Sequence, residues 1–327
     1  RGVHQVNFGA RLALNDTPVE NGVRDLWSIF EVVLPGYLGT RQSFQERFEK
    51  PMKSSSHPES INAASRLRRL IRPFYLRRTK KEVLKDLPEK IEQVFWCEMS
   101  PAQSEIYRRI LEEGREEVRA ARRRSGQGGA RMTMLTVLLR LRQVCCDIRL
   151  AGLDREKIEG LPADELSGKW PALDQRLDEV LAGGGKALIF SQFVSYLASC
   201  REHLRARGID FCYLDGSTED RASVVTDFQS NPSTSVFMIR LKAGGYGLNL
   251  TAADHVLLMD PWWNPAVESQ AIDRAHRYGQ NRAVTAFRLV MRGTVEERVL
   301  ALEERKRGLI SATVEERAPL MEGLTDG

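Results

Sequence analysis

The chain has 327 residues, room for about two domains at roughly 100 to 200 residues each. Hydrophobic residues make up 42% and charged residues 28%, which excludes a wholly disordered chain; no apolar run approaches the ~18 residues that span a bilayer. Lys plus Arg number 49 against 44 Asp plus Glu, a net +5 that permits a nucleic-acid partner without demanding one, because clustering decides.

The start, Arg1-Gly-Val-His-Gln, has no signal-peptide layout, so a soluble, intracellular protein with no membrane partner is expected. The cysteines Cys97, Cys145, Cys146, Cys200 and Cys212 are odd in number and show no CxxC spacing. Buried thiols are therefore expected rather than disulfides or a zinc site, and no metal-binding residues are assigned.

In chain order, Arg11 to Leu14 reads as the end of a buried strand, followed by turn chemistry at Asn15-Asp16-Thr17-Pro18 and a helix from about Val19 to Val33. From Pro35 to Lys90 short helices are broken by Pro and Ser, and basic clusters stand at Arg66–Arg72 and Arg77–Lys81. A helix is expected from Pro101 to Arg124, then a Gly/Ser loop, then a second helix from Met132 to about Val144. Arg119–Arg124 forms a third basic cluster, and Leu150 to Gly168 reads as a linker.

After Gly183 the pattern changes. The runs Ala187–Phe190, Val236–Ile239 and His255–Asp260 are continuously apolar, as strands buried on both faces of a parallel sheet must be; Phe211–Leu214 and Ala283–Val290 supply further strands. Helical stretches at Val194–Arg207, Arg221–Gln229 and Pro265–Tyr278 alternate with them, and a closing helix runs from Val295 to about Val314. The fold class is α/β, a doubly wound parallel sheet preceded by a mostly helical region.

If Pro265–Tyr278 is helical, Gln270, Arg274 and Arg277 fall at i, i+4 and i+7 on one face. Two guanidiniums one turn apart favour an anion between them, such as a transferring phosphoryl group; a solvated face with salt bridges through Glu268 and Asp273 is the plain alternative. Gly244, Gly245 and Gly247 follow a buried strand beside Lys242, a loop that can approach a phosphate closely. Ser191-Gln192 and Gly216-Ser217 also lie at strand ends, the edge where open α/β sheets bind ligands.

The series Phe190-Ser-Gln-Phe193, Leu214-Asp-Gly-Ser-Thr218, Leu241-Lys-Ala-Gly-Gly-Tyr-Gly-Leu-Asn-Leu250, Asp260-Pro-Trp-Trp-Asn-Pro265 and Asp273-Arg-Ala-His-Arg-Tyr-Gly-Gln280 resembles the second RecA-like lobe of Swi/Snf-type superfamily two ATPases. Pro73–Pro88 resembles that family's segment between the lobes, and Leu12–Asn21 its motif at the end of lobe one. The resemblance implies residues 1–34 as the end of lobe one, 35–168 as a helical insertion and linker, 169–294 as lobe two, and 295–327 as a brace helix and tail.

It also implies a motor that hydrolyses ATP with Mg²⁺ and moves along double-stranded DNA. Arg274 and Arg277 are then the fingers of the ATP site, with Gln270 and Gly247 on the nucleotide side. Ser191, Gln192, Gly216, Ser217, Lys242, Gly244 and Gly245 follow the DNA backbone, and the helical insertion is the expected surface for protein partners. The sequence departs from the family at Asn15-Asp16, Arg240 and Tyr246. No GxxxxGK[ST] and no Asp-Glu-x-His occurs, so the ATP and its metal are expected to be bound mainly by lobe one, and the chain is expected to be inactive alone. The alternative is a non-catalytic DNA-binding or scaffolding protein derived from such a motor.

Overall fold

Continuous apolar runs fold into a sheet only when both of its faces are covered, and that is what the computed structural model contains. It describes residues 10–15, 23–53, 57–78, 80–152, 158–216, 218–241 and 248–314. They divide between two units, one formed by residues 1–83, 264–266 and 302–327, the other by 84–263 and 267–301.

The larger unit holds six parallel strands: β1 (Lys90–Cys97), β2 (Ala187–Ser191), β3 (Phe211–Leu214), β4 (Val236–Arg240), β5 (His255–Leu258) and β6 (Val284–Met291). Their order across the sheet is β1-β6-β5-β2-β4-β3. Alternate side chains enter two cores: Ala187, Ile189, Val236, Met238 and Leu257 pack on one face, and Leu188, Phe190, Phe237, Ile239, Val256 and Leu258 on the other. Period-two alternation with every position apolar is the two-sided burial expected of a doubly wound sheet.

The strands expected after Gly183 are all present. β1 is an addition to that reading: Lys-Ile-Glu-Gln-Val-Phe-Trp-Cys begins where the short helices were expected to end, and it pairs along its whole length with β6. Its polar positions hid it. Glu92 is satisfied by Lys90 at 2.7 Å and by Arg288 of β6 at 2.6 Å, so a charged residue is accommodated at the border of the sheet.

The helices α1 (Arg24–Val33), α2 (Arg41–Phe44), α3 (Lys50–Lys53) and α4 (His57–Ile71) belong to the smaller unit, and Leu26, Phe30, Phe44, Phe48, Leu67 and Ile71 form its core. The expected strand at Arg11–Leu14 is not formed; Leu12 and Leu14 are 93% and 101% exposed. A strand needs a neighbour to satisfy its backbone, and no ladder is made there. The expected start of the following helix, at Val19, lies outside the described residues.

After α5 (Lys80–Val83), the expected helix, loop and helix form α6 (Pro101–Cys146), two helices that meet at Gly126. The loop contracts to a reversal at Gly126, whose φ of 64° and ψ of −156° suit glycine alone. Ser100 and Gln103 form a capping box at its start. The segment read as a linker carries a short helix, α7 (Ala163–Leu166), followed by α8 (Trp170–Ala182). The remaining helices are α9 (Val194–Ala206), α10 (Arg221–Ser230), α11 (Pro265–Ile272) and α12 (Val295–Val314). All five cysteines are buried and unpaired, as expected. Among the described residues no helix is long and apolar enough to cross a membrane.

Candidate functional site

β2, β4 and β3 are neighbours, so their carboxyl ends line one continuous edge of the sheet. Ser191 and Gln192 end β2, and Gly216 follows β3. Leu241 leaves β4 with its N–H bonded to the Ser191 carbonyl at 2.9 Å. Ser217, Lys242, Gly244, Gly245 and Gly247 lie outside the described residues. Among the described residues, a Cβ added at Gly216 would meet nothing within 4 Å, so their packing does not explain this glycine.

One buried carboxylate organises this edge. Asp260, just beyond β5, accepts the Ser191 hydroxyl at 2.5 Å and the Gln192 N–H at 3.3 Å, and it also takes the Gln192 side-chain amide. Ser191 is 1% exposed, so its hydroxyl shapes the turn from beneath. Arg142 of α6, 3% exposed, supplies the opposite charge at 3.7 Å and bonds to Gln192 Oε1 at 3.2 Å and to the Pro261 carbonyl at 2.5 Å. Its guanidinium also lies over Phe193 and Trp263, 5.7 and 5.6 Å from the ring centres. Trp263 thus has a packing role under its Pro-bounded loop.

Sequence reasoning misses Arg142, because an arginine in a helix reads as solvated surface. The available signal is its setting, in Leu-Leu-Arg-Leu-Arg-Gln-Val-Cys-Cys, where most neighbours are apolar. Lys169 is similar. It follows Gly168 but serves no phosphate loop: its Nζ is fully buried and bonds to Met259 O at 2.7 Å and to Glu296 at 2.8 Å. Burial alone would push Lys169 down, but Glu296 outweighs it and holds the ammonium above its ordinary pKa. Burial raises Glu296, and Lys169 only partly offsets this.

Gln270, Arg274 and Arg277 do not share a helical face. α11 ends at Ile272, leaving Gln270 in its last turn and both arginines in the turns that follow. The physical cause is competition for the backbone. The Arg274 carbonyl accepts Leu250 N–H at 3.0 Å, while Arg274 and Ala275 fall back to i−3 partners at Ala271 and Ile272. Arg277 Nη1 donates to Leu248 O at 3.0 Å, and Gln280 Nε2 donates to Thr251 O and Ala253 O at 3.1 and 2.8 Å. His276 Nε2 lies 2.8 Å from Pro88 O, just before β1.

The arginine turn is therefore latched to residues 248–253, which lead to the amino end of β5. The predicted residues form two groups: Ser191, Gln192 and Gly216 at the carboxyl edge, and Arg274 and Arg277 on a turn fastened where strands begin. Among the described residues no group of three or more His, Cys, Asp or Glu side chains is placed to hold a metal ion.

Residues 2–150 match the SNF2-related domain family and residues 170–279 the helicase conserved C-terminal domain family. An uncharacterised ATP-dependent helicase of Mycoplasma pneumoniae is 36% identical over 96% of this chain and 29% of its own length. The DNA excision repair protein ERCC-6 of Homo sapiens is 33% identical over 88% of this chain and 20% of its own. The chain thus spans under a third of the length of these curated relatives. Among solved structures, the Sulfolobus solfataricus SWI2/SNF2 ATPase core in complex with dsDNA is 32% identical, with a TM-score of 0.57, covering 93% of this chain and 62% of that one.

Proposed function

The chain belongs to the Swi/Snf-type superfamily two ATPases, and from that premise we propose that it is the lobe-two half of an ATP-dependent motor that translocates on double-stranded DNA. Residues 1–34 close lobe one, 35–168 form the insertion, 169–294 form lobe two and 295–327 the brace. Lobe one, carrying the Walker A and Asp-Glu-x-His motifs, holds ATP and Mg²⁺.

In this reading Arg274 and Arg277 turn toward the γ-phosphoryl group when the lobes close, and stabilise the charge that spreads over its oxygens in the transition state. Gln270 and Gly247 lie on the nucleotide side. Gln192, Gly216, Ser217, Lys242, Gly244 and Gly245 follow the phosphate backbone of the duplex, with Ser191 holding their edge in shape. The supporting observation is the latch. Arg277 bonds to Leu248 and Arg274 to Leu250, so a displacement of the arginine turn is passed directly to residues 248–250, which follow Lys242–Gly247 in sequence. That is a mechanical route from nucleotide to DNA.

ATP turnover tests the division of labour. The purified 327-residue chain should hydrolyse no ATP with or without duplex DNA, and joining it to lobe one should produce DNA-stimulated hydrolysis. Turnover by the chain alone would refute the reading. No turnover after joining would favour the non-catalytic DNA-binding alternative.

A further inference from the structure

The two arms of α6 run antiparallel. Gln103 Nε2 reaches the Val144 carbonyl at 2.8 Å near the base. Farther along, Gly114 packs so closely on Val137 that an added Cβ would collide with its methyls, and Glu117 faces Arg140 at 3.8 Å. The chain reverses at Gly126. The result is a stiff two-helix hairpin whose base is fixed to the sheet edge through Arg142 and Gln192.

Its tip is chemically one-sided. Between Val118 and Arg131 stand Arg119, Arg122, Arg123, Arg124 and Arg131, with no Asp or Glu. That local charge equals the +5 of the whole chain, so the rest of the molecule sums to zero. All five arginines are exposed. The hairpin's ion pairs, Arg108 with Glu112, Arg140 with Glu117 and Arg142 with Asp260, use residues outside this stretch. The other residues between Arg119 and Arg131 are Ala, Ser, Gln and Gly, which lack the aromatic or aliphatic anchors that centre a protein interface. Guanidiniums gathered in a stretch that holds no acid repel one another, and their forks match phosphate oxygens.

We propose that the hairpin tip is a second contact to the phosphate backbone of duplex DNA, resting on the reading of the Gln192 edge as DNA-facing. From Gly126 to Arg142 the arm rises about 24 Å at 1.5 Å per residue. Along a DNA strand that distance is about seven phosphates at 3.4 Å each. The tip therefore touches a part of the duplex beyond the reach of the lobe edge, and it acts through charge rather than base identity.

The experiment is a salt titration of the 327-residue chain on a labelled mixed-sequence duplex. It compares wild type with Arg122→Gln/Arg123→Gln/Arg124→Gln and with the charge-keeping Arg122→Lys/Arg123→Lys/Arg124→Lys. The Gln variant should lose ten-fold or more in affinity near physiological salt, and the slope of log K against log salt should flatten by up to about 0.9 for each phosphate that the tip no longer neutralises. The Lys variant should keep most of both. Equal affinity and slope for wild type and the Gln variant would overturn the proposal, as would loss of binding to a polyglutamate probe with duplex binding intact. Wild type that binds no duplex at all would overturn the tip contact together with the DNA-facing reading of the lobe, whereas the equal-affinity result overturns the tip contact alone. Circular dichroism and melting of the variants should match wild type, because the three side chains are exposed.

Discussion

Arg142 Nη1 donates to Gln192 Oε1 at 3.2 Å, joining the base of the α6 hairpin to the end of β2. Both residues flank Asp260, whose carboxylate is fully buried. Removing one partner of a buried charge pair is costly because the other remains without compensation. Arg142→Met should therefore destabilise the fold by about 3–5 kcal/mol, measured as a lower urea midpoint at unchanged m. A midpoint within experimental error of wild type would show that Asp260 is satisfied without it.

Lys169 and Glu296 form a second buried pair, joining the start of α8 to the first turn of α12 and, through Met259 O, to the end of β5. Lys169→Met should cost about 3–5 kcal/mol, and adding Glu296→Leu should recover much of the loss by removing the stranded carboxylate. If the double variant is as unstable as the sum of the singles, the two residues do not act as a pair.

The pH dependence of stability has a definable source in Glu92. Burial works to raise this carboxyl, but hydrogen bonds from Lys90 and Arg288 and their charges prevail, lowering it from 4.5 to about 2. A depressed carboxylate stabilises the fold fully above its unfolded pKa and loses that stabilisation as pH falls through the folded value. The gap between wild type and Glu92→Gln, on the order of 3 kcal/mol, should be present above pH 4.5 and close progressively toward pH 2. A gap independent of pH would contradict this assignment.

Gly216 separates packing from function. Because a Cβ there meets no described residue within 4 Å, Gly216→Val should leave the melting temperature within a few degrees of wild type. It should weaken duplex binding if phosphates approach this edge. Unchanged affinity would remove Gly216 from the DNA-facing set.

The strands are legible where burial is two-sided, since Ala187–Phe190 and Val236–Ile239 have no polar position to confuse the pattern. β1 is not, because its Glu92 and Lys90 are neutralised within an ion-pair network that includes a partner distant in sequence. α11 is overextended for a related reason. Ala-Ile-Asp-Arg-Ala-His has ordinary helical propensity, and only the tertiary bonds from Leu250 N–H and to the carbonyls of Leu248, Thr251 and Ala253 reveal that residues 274–280 are recruited elsewhere. The motif residues themselves can be named from sequence. Their division between a strand edge and a latched turn cannot, and neither can the supporting role of Arg142.

In the proposed motor the latched arginine turn completes an ATP site supplied by the other lobe. The most direct measurement is steady-state hydrolysis, with saturating duplex DNA, by the chain joined to lobe one, comparing wild type with Arg274→Ala and Arg277→Ala. Each substitution should lower kcat by roughly 10³-fold or more while ATP binding changes little, because the fingers act in the transition state. Unchanged kcat with weakened ATP binding would contradict the account.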